Sequence, residues 1–228
     1  MERNEQLKDI KVGAIHPRKA REYIVREHYM KTFPNPSLCF GVKFRGWLVG
    51  VLTFGVSTST EARVKELAST LKKTEYIEMQ RMHLSDVLGA NAESFVLGKV
   101  YELIKKNTDI KLLLTHAGGC KNDCGIVYQA SSWLYFGKTK CDDFYLTATG
   151  EYKNTVAPMR FGRVPKEVSK KGGQAVGEFL WGEGELLNTF RYFYAMPLNK
   201  GLRRSLIQKS KEYPKDSEVF RRGQKWIT

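Results

Sequence analysis

The alternation of apolar and polar positions divides the chain into short segments of helical and strand periodicity. Residues 17–32 begin with a proline and place apolar residues three and four positions apart, which predicts a first helix that runs out near His28 and Tyr29. Residues 37–55 hold two β-rich runs around Phe44-Arg45-Gly46-Trp47, where glycine favours a hairpin turn. The N-terminal part of the chain therefore predicts a helix followed by a hairpin.

The middle of the chain predicts alternating helices and strands. Residues 59–73 indicate a charged, exposed helix or loop, and residues 75–85 alternate as a third strand would. Residues 91–107 predict a strong helix with Asn91 as its N-cap. Its predicted buried stripe consists of Phe95, Leu97, Val100, Leu103 and Ile104.

The remaining segments predict buried strands and one further helix. The apolar run 111–118 favours a buried strand. Residues 125–137 predict a helix closed by Gly137. Two more strands are predicted at 143–148 and 189–198.

This order of elements resembles that of an acetyltransferase-like (GNAT) sheet. We therefore expect an α/β fold with a central mixed, mostly antiparallel sheet, helices on both faces and a basic C-terminal extension. Residues 1–165 would form the catalytic domain, and 166–228 would supply the final strands of that domain and a DNA-contacting extension. Ligands in open α/β sheets bind beyond the carboxyl ends of strands, which here predicts a site near 81–93, 115–124 and the helix that starts near 125.

The charge of the chain predicts a polyanionic partner. The net charge is +14, and residues 151–228 contribute sixteen Lys and Arg against eight Asp and Glu. Nucleic acid is the first candidate for such a partner.

The N-terminus is polar, and no apolar run of about 18 residues occurs, so a cytoplasmic protein that does not span a membrane is expected. Four cysteines in this length do not indicate a disulfide framework.

Several segments together resemble the Mom family of phage DNA modification proteins. They are His28-Tyr29 after the first helix, LVGVLTFG at 48–55, EMQRMHLSDVLGANAESF at 78–95 and GIVYQASSWLYFGKT at 125–139. The resemblance covers about residues 20–165. It implies an enzyme of the host cytoplasm that hypermodifies adenine in double-stranded DNA, by carbamoylmethylation of the exocyclic amine, and so protects phage DNA from restriction. It also implies acetyl-CoA and iron as cofactors.

The candidate catalytic residues follow from this resemblance and from their chemistry. They are His28, Tyr29, Arg81, Glu93, Ser94, Asp123 and Ser131. A histidine at a helix end serves as a dipole-favoured cap, a general base or a metal ligand, and a tyrosine beside it packs, donates a proton or binds iron. The implied product links the amine through a methylene carbon, which suggests a redox step with His28 and Tyr29 as iron ligands.

Arg81 is predicted to lie on the same strand face as Met79. An arginine on an inward face needs an anionic partner, and Glu93 at the start of the next helix could provide it. The pair would be either a structural ion pair or a clamp on a phosphate or carbonyl group.

The resemblance implies acetyl-CoA, but the residues themselves do not form the usual glycine-rich loop for its pyrophosphate. Candidate cofactor-binding residues are Leu84, Gly89, Asn91, Tyr128 and Gln129. A pyrophosphate-binding loop at a helix N-terminus is usually rich in glycine, whereas residues 88–92 hold one. An aspartate expected just after the 111–118 strand is absent, and Asp123 is its possible replacement. His116, Cys120 and Cys124 are metal-ligand types, but structural zinc requires four ligands.

DNA contacts are predicted at the C-terminus and around an everted base. Residues 200–228 hold nine basic and three acidic residues, and the candidate phosphate contacts are Arg203, Arg204, Lys209, Lys211, Arg221 and Arg222. Gln129 and Ser132, three apart on the predicted helix, would either pack or read the base edge. The candidates for stacking on the base are Trp47, Tyr29 and Tyr128.

Two other functions fit parts of the sequence. One is a GNAT-type N-acetyltransferase acting on a small molecule or a protein, which would require a CoA-binding glycine loop. The other is a non-enzymatic basic DNA-binding protein, whose affinity would depend steeply on salt.

Overall fold

The computed structural model describes residues 7–118, 123–160, 162–215, 219–221 and 224–225. The chain forms two compact units. The first comprises Met1–Thr115, Val127–Phe136 and Tyr194–Lys211, and the second comprises the remaining residues. The predicted division of the chain at residue 165 stays a prediction.

Helices and strands alternate along the chain. The helices are α1 (Pro17–Glu27), α2 (Thr58–Ala68), α3 (Ala92–Asn107), α4 (Ile126–Ala130), α5 (Val156–Arg160), α6 (Lys166–Ser169), α7 (Gly173–Trp181) and α8 (Lys200–Ile207). The strands are β1 (Ile10–Ala14), β2 (Leu38–Phe44), β3 (Trp47–Gly55), β4 (Tyr76–Leu84), β5 (Leu112–Gly118), β6 (Leu134–Thr147), β7 (Tyr152–Asn154), β8 (Gly184–Pro197), β9 (Val219–Arg221) and β10 (Gln224–Lys225).

The sheet of the first unit has the predicted mixed character. Strands β1, β2, β3 and β4 pair antiparallel in that order, and β4 then pairs parallel with β5. The parallel pairing joins Tyr76–Glu78 to Leu112–Leu114, and α3 connects the two strands. The predicted acetyltransferase-like order of helix, hairpin, strand, helix and strand is therefore confirmed.

Both faces of this sheet are covered by apolar packing. The apolar stripe of α1, which includes Tyr23 and Ile24, packs on Cys39 of β2 and Val51 of β3. The side chains that point to the opposite face are also buried, namely Phe40, Val42, Leu52 and Phe54. Since side chains on both of its faces are buried, the hairpin β2–β3 lies at the centre of the core. Burial of each such side chain stabilises the fold by roughly 1.5–3 kcal/mol.

The prediction of a helix over 125–137 is wrong beyond its first turn. Helix α4 ends at Ala130, and Ser132 takes a left-handed conformation with φ of 60°. Trp133 is then fully buried, and the run from Leu134 continues as β6, because aromatic and β-branched side chains pack well on a sheet. Gly137 therefore lies inside a strand, and Gln129 and Ser132 do not share a helix face.

The start of α3 also differs in detail from the prediction. Asn91 occupies the N-cap position, but its backbone is left-handed with φ of 67° and its side chain makes no capping hydrogen bond. Val96, which was not predicted, is fully buried, whereas Phe95 and Leu103 are half-buried. The buried face of α3 is therefore rotated by a fraction of a turn from the predicted buried stripe.

Several elements have no counterpart among the predicted ones. Strand β1 pairs with β2, although the polar segment around it predicted no strand. In the second unit, α7 packs its Gly177 against Tyr145 of β6, and the Tyr145 hydroxyl donates to the Gly182 carbonyl at 2.7 Å.

No helix in the described part of the chain is long and apolar enough to cross a membrane.

Candidate active site

His28 is held at the end of α1 by two backbone hydrogen bonds. Its own N–H donates to the Ile24 carbonyl at 3.0 Å, and its Nδ1 accepts the Met30 N–H at 3.1 Å. The helix ends here, as predicted, and His28 has an extended backbone and is 6% exposed. Because Nδ1 accepts a hydrogen bond, the neutral ring carries its proton on Nε2.

A β-bulge directs Arg81 toward the side of the sheet on which α1 packs. Arg81 pairs with Thr53 and Met79 pairs with Phe54, so Gln80 is an extra residue in β4. The prediction that Met79 and Arg81 share a face of β4 is therefore wrong. The extra residue reverses the alternation of side chains between the two faces of the strand. Arg81 lies opposite Thr53, in the row that includes Cys39 under α1.

Arg81 joins this bulge to the segment that follows α1. Its Nη2 donates to the Thr32 hydroxyl at 3.0 Å, and its Nη1 donates to the Gln80 carbonyl at 2.6 Å. Thr32 is buried, and Thr53 is fully buried with a hydroxyl that has no hydrogen-bond partner among the described residues. Together with His83 and Tyr29, these residues form what we call the His28–Arg81 cluster: His28, Tyr29, Thr32, Thr53, Arg81 and His83.

The electrostatics of this cluster keep His28 neutral. Burial, together with the neighbouring Arg81, His83 and Lys31, lowers the pKa of His28 to about 3. Nearby, burial and Glu27 raise the pKa of Tyr23 to about 12, and its hydroxyl lies 3.3 Å from Nδ1 of His83. A neutral imidazole in a cationic setting suits hydrogen-bond donation better than proton abstraction.

Of the three predicted stacking residues, only Tyr29 is exposed within the cluster. Its ring stacks on His28 with centroids 4.5 Å apart, and 65% of its surface is exposed. Tyr128 is buried between Trp133 and Tyr194. Trp47 begins β3, six residues before Thr53, which separates it from the cluster by roughly 20 Å.

The sequence reasoning missed Thr32, Thr53 and His83. Thr53 is the polar residue of an otherwise apolar strand, and this pattern could have marked it. The roles of Thr32 and His83 depend on contacts with residues far away in the chain, which sequence spacing does not indicate.

The other predicted residues of α3 and α4 form a second group in the first unit. The Ser131 hydroxyl donates to the Val127 carbonyl at 2.8 Å and lies 3.3 Å from the Ser94 hydroxyl. Gln129 donates to the Tyr194 hydroxyl at 3.1 Å. These bonds, with the buried Tyr128, have the character of packing contacts, and a part in catalysis or cofactor binding stays a prediction for them.

Glu93 does not pair with Arg81 in the described structure. Glu93 is exposed in the first turn of α3, and the ion pairs among the described residues do not include one between it and Arg81. The structural partners of Arg81 are instead the Thr32 hydroxyl and a backbone carbonyl.

The segment before α3 does not fit the pyrophosphate of acetyl-CoA. Residues 85–94 contain Asp86 and Glu93 and no lysine or arginine, so the charge at this helix start repels an anion. Of the other predicted contacts, Leu84 packs against Gly50 of β3, while Gly89 and Asn91 are exposed with positive φ.

The His28–Arg81 cluster does not fit iron either. The Nδ1 atom of His28 accepts the Met30 N–H, and the positive charges that depress its pKa also oppose a metal cation. Within the described ranges, no group of three or more His, Cys, Asp and Glu side chains is arranged to hold a metal ion. The tentative assignment of His28 and Tyr29 as iron ligands is not supported.

Asp123 belongs to the second unit, where it closes a loop. Its carboxylate accepts the Gly118 N–H at 3.1 Å, and burial raises its pKa against the opposing effect of the Gly118 and Gly125 N–H groups. His116 packs on Phe193, and Cys124 is a buried free thiol. Cys120 lies outside the described residues.

Part of the basic tail has an internal structural role. The Arg203 guanidinium donates twice to the Ser132 carbonyl at 3.2 Å, and Lys209 Nζ donates to the Leu67 carbonyl at 2.9 Å. Arg204 and Lys211 are exposed. The side chain of Arg221 and all of Arg222 lie outside the described residues.

Comparison with known proteins decides the family. The Mom protein family model matches residues 9–215. The chain belongs to the Mom protein family. The resemblance found in the sequence is thereby confirmed, and the match includes every member of the His28–Arg81 cluster. No curated protein matches this Mom family chain in sequence.

Similar solved structures are acetyltransferases by name. Spermidine/spermine N-acetyltransferase from Vibrio cholerae has a TM-score of 0.49 at 10% identity, covering 88% of this chain and 99% of its own. Drosophila melanogaster polyamine N-acetyltransferase has a TM-score of 0.45 at 11% identity, with 83% and 100% covered. IAA acetyltransferase from Bacillus cereus has a TM-score of 0.44 at 12% identity, with 82% and 99% covered.

Proposed function

We propose that this Mom family protein is a phage DNA modification enzyme that carbamoylmethylates the exocyclic amine of adenine in duplex DNA and so protects it from restriction. The observation that carries the proposal is the family match over residues 9–215, which spans the whole His28–Arg81 cluster. The net charge of +14 suits a polyanionic substrate.

The proposed mechanism begins with an adenine outside the base stack. An amine within stacked DNA is inaccessible, and eversion costs a few kcal/mol that stacking and pocket hydrogen bonds offset. Tyr29 provides an exposed ring against His28 for such stacking. The Nε2–H of His28 would then donate to a ring nitrogen of the base, because His28 stays neutral at physiological pH.

Arg81 would act on the group to be transferred. Its guanidinium is oriented by Thr32 and the Gln80 carbonyl, and it would donate hydrogen bonds to the carbonyl oxygen of a carbamoylmethyl group and so position that group. The amine of adenine would attack the methylene carbon of a carbamoylmethyl donor that carries a leaving group on this carbon. The new bond from nitrogen to carbon forms as the bond from carbon to the leaving group breaks, the leaving group departs with the electron pair, and the amine loses a proton. We leave acetyl-CoA and iron out of this reaction, because the residues present do not fit either group.

The test is the nucleoside content of DNA from cells that express the protein. We expect mass spectrometry to detect a carbamoylmethylated deoxyadenosine with the wild type, and its yield to fall roughly 10²-fold with Arg81→Lys, which loses the planar fork. Arg18→Lys is the matched control, because Arg18 is 82% exposed on α1 and pairs only with its helix neighbour Glu22 in the ion pairs described. Unmodified DNA from cells with folded wild-type protein would refute the proposal, and acetylated small molecules or proteins in its place would indicate the N-acetyltransferase alternative.

A further inference from the structure

The tip of the β2–β3 hairpin combines an exposed tryptophan with a group of cations. Trp47 is 79% exposed at the first position of β3. Beside it, a groove of about 440 Å³ is lined by Lys8, Asp9, Lys11, Lys43, Arg45 and Gly46. We call these residues and Trp47 the hairpin-tip surface, and it lies entirely within the first unit.

The charges of this surface are only partly compensated. Lys11 of β1 lies directly opposite Lys43 of β2, and like charges in such positions repel. Asp9 pairs with Arg45 at 3.3 Å, whereas neither lysine has an ion-pair partner among the described residues. Four cations thus face one carboxylate, and a bound anion would relieve their repulsion.

The turn itself carries a residue that its backbone disfavours. Arg45 and Gly46 have φ of 50° and 90°, the left-handed conformation of a two-residue type I′ turn. Asparagine is preferred to arginine at the first of these positions. The Arg45 guanidinium lies over the Phe44 ring at 5.0 Å and pairs with Asp9, and 67% of the side chain stays exposed, so it can also reach an anion.

We propose that the hairpin-tip surface binds the phosphate backbone of duplex DNA next to the everted adenine. This inference rests on the proposed function, which supplies the kind of partner. Lysine and arginine neutralise phosphates, so the four cations around this groove suit a contact with the phosphate backbone. The span of roughly 20 Å from Trp47 to the row of Thr53 and Arg81 corresponds to about six phosphates along one strand.

The internal contacts of the tail strengthen the case for this surface. Arg203 and Lys209, two predicted phosphate contacts, donate to backbone carbonyls of the first unit. Lys11, Lys43 and Arg45 are exposed, and Trp47 adds a flat aromatic surface for sugars and bases.

The test compares Arg45→Asn with Lys65→Asn, which removes one exposed cation from α2. Binding of a labelled DNA duplex is measured by fluorescence anisotropy between about 50 and 200 mM salt. For Arg45→Asn we expect the slope of log affinity against log salt to become shallower by about 0.9, with no loss of stability toward urea, since asparagine suits the turn. Lys65→Asn should keep the wild-type slope.

A second readout uses the tryptophan itself. The tryptophan fluorescence of the wild type should change on addition of duplex. Trp47→Phe keeps Trp133, Trp181 and Trp226, so the part of the change that this variant loses comes from Trp47. Equal slopes for wild type and Arg45→Asn would overturn the inference, as would tighter binding of double-stranded RNA of the same sequence. If nucleosides are modified but the slopes are equal, this inference alone fails; if the slopes differ but no nucleoside is modified, the proposed function alone fails.

Discussion

Replacing His28 by glutamine should remove a large part of the acid sensitivity of this fold. Burial and the charges of Arg81, His83 and Lys31 lower the pKa of His28 to about 3 from an ordinary value of 6.5. In the unfolded chain, His28 binds a proton as the pH falls through 6.5, while the folded protein stays unprotonated there. Since the unfolded state binds more protons, the free energy of unfolding decreases as the pH falls from 6.5 toward 3.

The magnitude follows from the width of this pH window. Each pH unit between the two pKa values is worth about 1.36 kcal/mol, so at pH 5 the folded state has lost about 2 kcal/mol through His28 alone. Over the whole window down to about pH 3 the loss approaches about 5 kcal/mol. The first figure is a substantial fraction of the 5–15 kcal/mol that typically stabilises a domain.

The assay is urea unfolding of wild type and His28→Gln at pH 8 and pH 5. Glutamine keeps an N–H donor near the position of Nε2 but does not titrate. The decrease in the free energy of unfolding between these pH values should be about 2 kcal/mol larger for the wild type. The other histidines are common to both proteins, so they cancel in this difference. Equal decreases in the two proteins would refute the argument that His28 is held neutral by burial and positive neighbours.

Three further substitutions test the packing within the two units. Tyr101→Phe should cost about 1–3 kcal/mol in urea unfolding, because the buried Nε1–H of Trp133 donates to the Tyr101 hydroxyl at 2.6 Å and would lose its acceptor; an unchanged midpoint would contradict this. Gly177→Ala should lower stability by roughly 1–3 kcal/mol, since its Cβ would lie 2.1 Å from Tyr145, and a neutral effect would show that the helix moves away freely. Gly98→Ala, within α3, meets no atom within 4 Å and should stabilise the protein by roughly 0.5–1 kcal/mol in the same assay, which a decrease would refute.

The sequence predicted elements best where local periodicity determines them. Helices α1 and α3 each bury one face, so the spacing of their apolar residues indicated both type and position. The hairpin β2–β3 was predicted from two β-rich runs on either side of a glycine turn. The prediction failed at residues 131–137, where a short apolar run with serines fits a helix or a strand equally well. The helix ends there and a strand follows, because Ser132 is left-handed and Trp133 packs beside Tyr128.

The sequence by itself determined the family and the residue types of the site, because the segments around His28, Arg81 and Tyr128 match a known pattern. Only the tertiary structure decided which of these residues meet. The bulge at Gln80 turns Arg81 toward Thr32 and His28, while Glu93 stays exposed and Trp47 marks a distant surface. Bulges and buried charges depend on strands paired across long stretches of chain, and no spacing along the sequence encodes that register.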